Sequence, residues 1–385
     1  MKFPAILLTS LAPALLLADA PPRLQSKVKG LLVVELPNGK TAGTASQMNA
    51  TAVKSDGAAL EIRFNQDVGE TMNLATSEVS KFIQVRHHER LPEGYRIELS
   101  FADKYSPKDG PSAAVASALL VDSIVSDHDL SDDFAVTGDM IADGSIQPVG
   151  GIVSKIRGAR LKGCAIVAVP EANETAVSDG YIIDGIRELR SIQIFSVATF
   201  DEAHALASEN RGEKLAGALA GFSQVQQALA RDEKFATNPK VLEKLREVIE
   251  LAPNHLSAKY LYLHGTGRAP RTLSLVGSLM AIDEADTAFA QMLDDGSFTE
   301  TSGNSDVLFK FEGELTRLKP MIDKRTADYC DSYLGLAQYI REIRGRRIYT
   351  PQMKRELLAA VTKVRNQRKA LFSNEEIREE LMLEE

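Results

Sequence analysis

The 385-residue chain is poor in several residue types that would narrow its function. It has only two cysteines, Cys164 and Cys330, which an exported protein could pair, although they fall in segments that are predicted to be separate domains. Cys164 lies in an apolar, strand-like run, so we expect two buried free thiols. The net charge of −8 gives no general reason to expect nucleic-acid binding. Tryptophan is absent, and its absence excludes no class of function.

The histidines and the glycine-containing loops also show few patterns that indicate a function. The six histidines are His87, His88, His128, His204, His255 and His264, and their spacing with acidic residues and cysteines is not that of a metal site. We therefore expect no metal and no cofactor. His87-His88 ends an amphipathic helix and is predicted to be a solvated C-terminal turn. The Gly39-Lys40-Thr41 triplet resembles the end of a phosphate-binding loop, but Val34 stands where that motif needs its first glycine. We therefore predict no nucleotide site there.

Residues 1–20 have the composition of a secretory signal peptide. Lys2 supplies a positive end, residues 6–18 are almost free of polar groups, and Ala18-Asp19-Ala20 resembles a cleavage site. The apolar run is short for a transmembrane helix. We therefore expect a secreted or periplasmic protein. Pro21 would hinder cleavage after Ala20. An uncleaved membrane anchor, or cleavage at a nearby position, is therefore the alternative.

The rest of the chain divides into two predicted domains. Residues 21–208 alternate strand-like and helical runs, including helices over 112–125 and 151–162. An earlier helix places apolar residues on one face: Met72, Ala75, Val79, Phe82 and Ile83. Residues 213–385 read as an all-α domain of unknown role, with helix starts at Asn238-Pro239 and Thr350-Pro351.

The end of the helical domain is segregated by charge. Residues 341–369 contain ten Lys and Arg against two Glu, and the last residues are acidic. Solvated helices that pair with each other are the simpler interpretation. A binding site for an anionic partner at 341–369 is the alternative.

Two residues carry the chemistry only when they are considered together. Ser112 alone, in "PKDGPSAA", could be a helix cap, and Lys155 alone could be a surface lysine. A serine hydroxyl needs a base within hydrogen-bond reach, and a lysine buried among apolar residues can be neutral enough to serve. A helix start beside Ser112 would also supply N–H groups for an oxyanion.

These motifs resemble the proteolytic domain of the Lon protease family. The matching residues are Pro107-Lys108-Asp109-Gly110-Pro111-Ser112-Ala113, Thr137-Gly138, Pro148-Val149-Gly150-Gly151 and Lys155. The 43-residue interval from Ser112 to Lys155 fits the family arrangement. The resemblance covers residues 28–208 and implies an α+β fold of the ribosomal protein S5 domain 2-like type, followed by the all-α C-terminal domain.

The resemblance also implies roles for individual residues. Ser112 would be the nucleophile, Lys155 the general base, and Thr137 a group that holds the lysine. Asp109 would shape the site. The remaining supporting or oxyanion residues would be Gly110, Pro111, Ala113, Gly150 and Gly151.

The sequence departs from the family in two ways. Ala114 and Asp139 replace a common glycine and glutamate, which could alter the substrate groove. In addition, the chain has no phosphate-loop lysine motif and no room for the ATPase module of energy-dependent Lon proteins.

Two functions from different classes follow. The first is an ATP-independent serine endopeptidase that hydrolyses unfolded or flexible polypeptides through a Ser112–Lys155 dyad, and the resemblance suggests a ring-shaped homo-oligomer. The second is a catalytically silent scaffold that binds peptides or assembles, with the helical domain docking a partner. A Ser–His triad stays open, although no histidine lies in a comparable motif.

Overall fold

The computed structural model describes residues 23–35, 41–57, 60–88, 91, 93–103, 109–294, 305–344, 346, 348, 350–375 and 377–378. The expected signal peptide lies outside these residues, as do Asn38-Gly39, Pro107-Lys108 and most of the acidic end. Those expectations stay predictions. None of the described helices has both the length and the apolar content needed to cross a bilayer.

The first region is built around a seven-stranded mixed sheet. Its strands run in the spatial order β3-β4-β2-β1-β5-β8-β9, and β6 pairs with β7 as a separate ribbon. The strands are β1 (Gln25–Glu35), β2 (Thr41–Lys54), β3 (Glu61–Phe64), β4 (Tyr95–Phe101), β5 (Phe134–Val136), β6 (Asp139–Met140), β7 (Ile146–Gln147), β8 (Ile166–Pro170) and β9 (Gln193–Val197). The half containing β5, β8 and β9 is parallel, and β1, β2 and β4 pair antiparallel.

Five helices belong to this sheet region. They are α1 (Glu70–Arg86), α2 (Ala114–Ser126), α3 (Ile152–Leu161), α4 (Glu174–Asp184) and α5 (Phe200–Ala207). The predicted apolar face of α1 is buried, as expected. Helix α2 is buried on nearly every side, which its run of alanine, valine and leucine allows, so it lies inside the core. The turn that leads into this helix contains Ser112, which is thereby held at the edge of the core.

Seven further helices follow the sheet region. They are α6 (Glu213–Arg231), α7 (Pro239–Leu251), α8 (Leu256–Gly265), α9 (Leu275–Asp294), α10 (Ser305–Leu318), α11 (Ala327–Ile343) and α12 (Pro351–Ser373). The two predicted helix starts are confirmed, because Asn238 accepts from the Lys240 N–H at 2.9 Å and Thr350 from the Met353 N–H at 3.2 Å. A mixed sheet followed by helices agrees with the predicted α+β class.

The buried residues group differently from the predicted boundary near residue 210. One hydrophobic core runs from Val28 to Leu261 and therefore includes the inner faces of α6, α7 and α8. A second core begins at Leu273 and ends at Ile377. The strand-like pattern in the sequence ends with the last strand. The first hydrophobic core continues beyond that point, to Leu261.

The start of α8 completes the edge of the sheet. Ser257 Oγ accepts from the Ile194 N–H at 2.9 Å, and Asn254 exchanges bonds with the backbone of Ser196 at 2.8 and 3.0 Å. The fully buried His255 ring lies against Phe195, with 4.3 Å between ring centroids. Strand β9 is thus covered along its outer edge, where the Ile194 and Ser196 N–H groups both find acceptors.

Two sequence expectations about single residues have opposite outcomes. Cys164 and Cys330 are both buried and free, as predicted. The prediction for His87 was wrong: its side chain is only 10% exposed and lies 2.7 Å from Asp122. The partner is on α2, so the sequence of α1 alone could not reveal it. His88 is exposed, as expected.

Candidate active site

Ser112 sits in a single 3-10 turn, Pro111–Ala113, that leads into α2. Gly110 before it has a φ of 103°, a backbone conformation that favours glycine. The cap positions of the turn and of α2 are held by Gly110 and Ala113, neither of which has a side-chain acceptor. The half-buried Ser112 is therefore not the helix cap that the sequence allowed, and its hydroxyl is free of that role.

Lys155 lies on the inner face of α3. This helix starts after Gly151, whose φ of 74° is the left-handed region, and the Lys155 N–H donates to the Gly151 carbonyl at 2.9 Å. Lys155 is only 3% exposed. Burial lowers the pKa of its amine to about 8, because no water shell remains to stabilise the charged form.

Thr137 connects the lysine to the serine segment. It follows β5 and is completely buried. The Lys155 amine donates to the Thr137 hydroxyl at 3.1 Å, and that hydroxyl lies 3.4 Å from the Ser112 carbonyl, to which it donates. The Gly138 N–H also donates to the Ser112 carbonyl, at 3.1 Å. Within the described contacts, the Ser112 hydroxyl and the Lys155 amine have no direct hydrogen bond, so Thr137 is the link between them.

Asp109 anchors the segment that carries Ser112. Its carboxylate accepts from the Thr71 hydroxyl, from the Met72 N–H at 3.1 Å and from the Gly110 N–H at 2.8 Å. These hydrogen bonds, first of all that from Thr71, lower the pKa of Asp109. The carboxylate occupies the space beside Gly69, where a Cβ would lie 2.0 Å from its Cγ. Asp109 therefore acts as an N-terminal cap for α1 from another part of the chain.

The remaining predicted residues frame the site in different ways. Pro111 lies in the 3-10 turn and Ala113 is buried at its end. Gly150 is exposed, with open space where a Cβ would be. A Cβ on Gly151 would lie 2.6 Å from the Val33 side chain, so both its conformation and its surroundings require glycine.

The segment that carries these site residues is similar to known proteins. The family model described as the Lon protease (S16) C-terminal proteolytic domain matches residues 32–208. We call residues 32–208 the Lon-type domain on the basis of this similarity. The match contains every site residue predicted from the sequence.

The curated relatives of this Lon-type domain include proteins from archaea and bacteria. An archaeal Lon protease from Methanocaldococcus jannaschii is 37% identical over 118 residues, 30% of this chain and 17% of the relative. Lon protease 2 from Bacillus subtilis is 31% identical over 111 residues, 29% of this chain and 18% of the relative. An archaeal Lon protease from Thermococcus kodakarensis is 28% identical over 188 residues, 49% of this chain and 28% of the relative. The chain thus spans between 17% and 28% of the length of these relatives.

Two glycines that the sequence reasoning missed bring α3 close to the sheet of the Lon-type domain. A Cβ on Gly43 of β2 would lie 1.7 Å from the Ser154 carbonyl oxygen, and a Cβ on Gly158 would lie 2.2 Å from the Gly43 backbone. Backbone therefore packs on backbone at this crossing. The glycines allow α3 to approach closely enough for Lys155 to reach Thr137.

Asn173 is a second residue that the sequence reasoning did not assign. It is buried after β8, and its side-chain oxygen accepts from the Val149 N–H at 2.9 Å. That bond fixes the backbone just before Gly150-Gly151. The signal in the sequence was a polar residue three positions after a buried strand, in "VAVPEAN".

A cavity of about 420 Å³ borders the Lon-type site on the Gly150-Gly151 side. It lies between α3 and α4 of the sheet region and α9 and α12 of the helical region. Residues from both regions line it, among them Gly150, Val153, Asn173, Met280 and Phe372. The helical region therefore forms one wall of a pocket beside the predicted site.

Proposed function

We propose that the chain is an ATP-independent serine endopeptidase with Ser112 as nucleophile and Lys155 as general base. The observation that carries the proposal is the environment of Lys155. The residue is buried, the pKa of its amine is lowered to about 8, and the amine donates a hydrogen bond to the Thr137 hydroxyl. Burial is the cause of the lowered pKa, and no carboxylate of the described residues offsets it. A useful fraction of the amine is then neutral near pH 8 and can accept a proton.

The first half of the reaction forms an acyl-enzyme. The neutral Lys155 amine takes the Ser112 hydroxyl proton as the oxygen attacks the peptide carbonyl carbon. The tetrahedral intermediate collapses, the C–N bond breaks, and the Lys155 ammonium gives its proton to the leaving amine. In the second half, Lys155 takes a proton from water, which attacks the ester, and returns it to Ser112.

The start of α2 is the proposed site for the negative charge of the intermediate. Backbone N–H groups at a helix start have no partner within the helix, and they lie at the positive end of its dipole. Ser112 lies two residues before Ala114, in the turn that leads into this helix. The Thr137 hydroxyl would hold the lysine through both halves of the reaction, since it is the partner of the amine.

The independence from ATP rests on the sequence, in which the Gly39-Lys40-Thr41 triplet lacks the first glycine of a phosphate loop. Without unfolding work, suitable substrates are unfolded or flexible polypeptides. The cavity beside Gly150-Gly151 offers room for a side chain of such a substrate. A homo-oligomeric ring and export are further parts of the proposal, carried by the family resemblance and by residues 1–20 respectively.

The test is hydrolysis of casein and of a fluorogenic peptide library without ATP. Wild type should cleave, and Ser112→Ala and Lys155→Met should not, although both remain folded by circular dichroism. A fluorophosphonate probe should label Ser112 in the wild type alone. Equal cleavage in all three proteins would refute the dyad.

The silent scaffold is kept as a second candidate because of one observation. The Lys155 amine is bonded to Thr137 and not to the Ser112 hydroxyl in the described contacts. A scaffold would bind unfolded peptides without cleaving them, and the probe would leave Ser112 unlabelled. Tight binding combined with no cleavage across the library would favour it.

A further inference from the structure

Asp122, His128 and His204 form a polar cluster at the far end of α2, which we call the Asp–His cluster. Asp122 is on α2, His128 follows that helix, and His204 is on α5. The Asp122 side chain is only 2% exposed, and the two histidine side chains are 22% and 30% exposed. The cluster therefore has a buried carboxylate at its base and imidazoles at the protein surface.

The distances in the Asp–His cluster are those of groups that share one ion. The His128 and His204 Nε2 atoms are 3.1 Å apart, and His204 Nε2 is 3.5 Å from Asp122 Oδ2. Zinc binds imidazole nitrogen and carboxylate oxygen at about 2.0–2.2 Å in tetrahedral geometry, which separates neighbouring ligand atoms by about 3.3 Å. One ligand atom from each of the three residues lies within 4.8 Å of the others. Among the described residues, this is the group with that property.

The neighbouring residues leave one oxygen of Asp122 facing the histidines. Asp122 Oδ1 accepts from Arg86 Nε at 3.0 Å and lies 2.7 Å from His87 Nε2. Arg86 also pairs with Asp201 at 2.8 Å, so its charge is shared between two carboxylates. This arrangement orients the carboxylate in the way that hydrogen-bond partners behind a metal ligand do.

We propose that Asp122, His128 and His204 bind one divalent transition-metal ion, with zinc as the best match. Two imidazoles and a carboxylate suit zinc, and the partly exposed side of the cluster leaves room for water as a fourth ligand.

The proposed ion would have a structural role, separate from peptide hydrolysis. Asp122 lies eight residues beyond Ala114, about 12 Å along the helix axis from the end that carries Ser112. A bound ion would join α2 to α5 and to the loop after α2. It would thus fix the helix whose other end presents the nucleophile.

The experiment uses the full chain without a histidine tag, stripped of metal by a chelator and dialysed. Zinc binding is measured by competition with a chromophoric chelator, and cobalt is used to report geometry by its visible spectrum. The variants are His128→Gln and His204→Gln. His264→Gln is the control, because His264 is also a partly buried histidine but pairs with Tyr181 at 3.0 Å, away from the cluster.

Wild type and the control should bind one equivalent of zinc with the same affinity, and each cluster variant should bind about 100-fold more weakly. The cobalt complex should show the intense visible bands of a tetrahedral site in wild type and in the control, but not in the cluster variants. Zinc should also raise the thermal midpoint of wild type and leave that of the variants unchanged. Equal zinc affinity in wild type and the cluster variants would overturn the proposal, as would no binding by wild type at 100-fold excess metal.

Discussion

The Lys155 amine donates to the Thr137 hydroxyl across 3.1 Å inside the protein core. Neither residue exposes more than 3% of its surface, so the bond is shielded from water. Burying an ammonium group costs free energy unless an opposite charge lies beside it, and the partner here is a neutral hydroxyl. Burial without a charged partner lowers the pKa of Lys155. The buried amine and its bond to Thr137 are the source of the first three predictions.

The hydrolysis rate should rise with pH through the pKa of Lys155. The neutral amine is the reactive form, and burial lowers this pKa to about 8. Values of kcat/KM should increase about tenfold per pH unit below pH 7 and level off above pH 9. A profile that is flat between pH 6 and pH 9 would contradict a lysine base.

Replacing Lys155 by methionine should make the folded protein more stable at pH 7. The amine has a pKa of about 8 in the fold, against 10.5 as the ordinary value. Below pH 8 the fold must hold a buried charge, so removing it should raise the free energy of unfolding by up to about 3 kcal/mol.

The gain should shrink as the pH rises from 8 to 10.5, because the unfolded chain then releases the proton as well. Urea unfolding at pH 7 and pH 10 measures both values. A less stable methionine variant at pH 7 would show that the amine has a net stabilising partner.

Thr137→Val should impair hydrolysis without removing either dyad residue. Valine has nearly the same shape but no hydroxyl, so the Lys155 amine loses its partner and its position. We expect kcat to fall about 10- to 100-fold with little change in KM. Thr137→Ser restores the hydroxyl and should recover most of the activity. If the serine variant is as impaired as the valine variant, Thr137 acts through packing alone.

Asp109 should be replaceable by asparagine but not by leucine. An asparagine oxygen can still accept from the Met72 and Gly110 N–H groups. Leucine leaves the Met72 N–H without this acceptor and leaves the Gly110 N–H with the Thr71 hydroxyl alone. We expect Asp109→Leu to lower the thermal midpoint by about 2–4 °C and to reduce hydrolysis, because the segment before Ser112 is released. Asp109→Asn should stay close to wild type. Equal losses in the two variants would assign the effect to the charge instead.

Gly158→Ala should destabilise the protein and displace Lys155. The added Cβ would lie 2.2 Å from the Gly43 backbone, which cannot move without shifting β2. The expected loss is about 1–3 kcal/mol. Gly313→Ala is the matched control, since it lies in a helix with open space around a Cβ and should gain up to about 1 kcal/mol. Similar stabilities for the two variants would mean that α3 can move away from the sheet at no cost.

Local patterns in the sequence predicted local features of the fold. The apolar face of α1 and the caps at Asn238 and Thr350 depend on neighbours within one turn, and all three agree with the structure. The resemblance located the proteolytic domain because its motifs are ordered along the chain. It could not supply the link through Thr137 to the Ser112 carbonyl, which depends on how β5 meets the start of α2.

Features made by distant segments were not predictable in the same way. The contact of Gly43 with Gly158 joins residues 115 positions apart, and glycine in a strand is not by itself a signal of close packing. Likewise, the histidines of the Asp–His cluster are 76 residues apart in the chain. Their spacing carries no metal signature, since only the packing of α5 beside α2 brings them together.

The covered edge of β9 has a consequence for how this kind of protein can be recombined. A chain that ended at residue 208 would keep every predicted site residue, yet it would expose the Ile194 and Ser196 N–H groups that residues 254–257 now satisfy. An open edge strand of buried, apolar residues invites pairing with other copies. A chimera in which another module replaces the helical region would therefore keep a soluble domain only if the junction lay beyond α8.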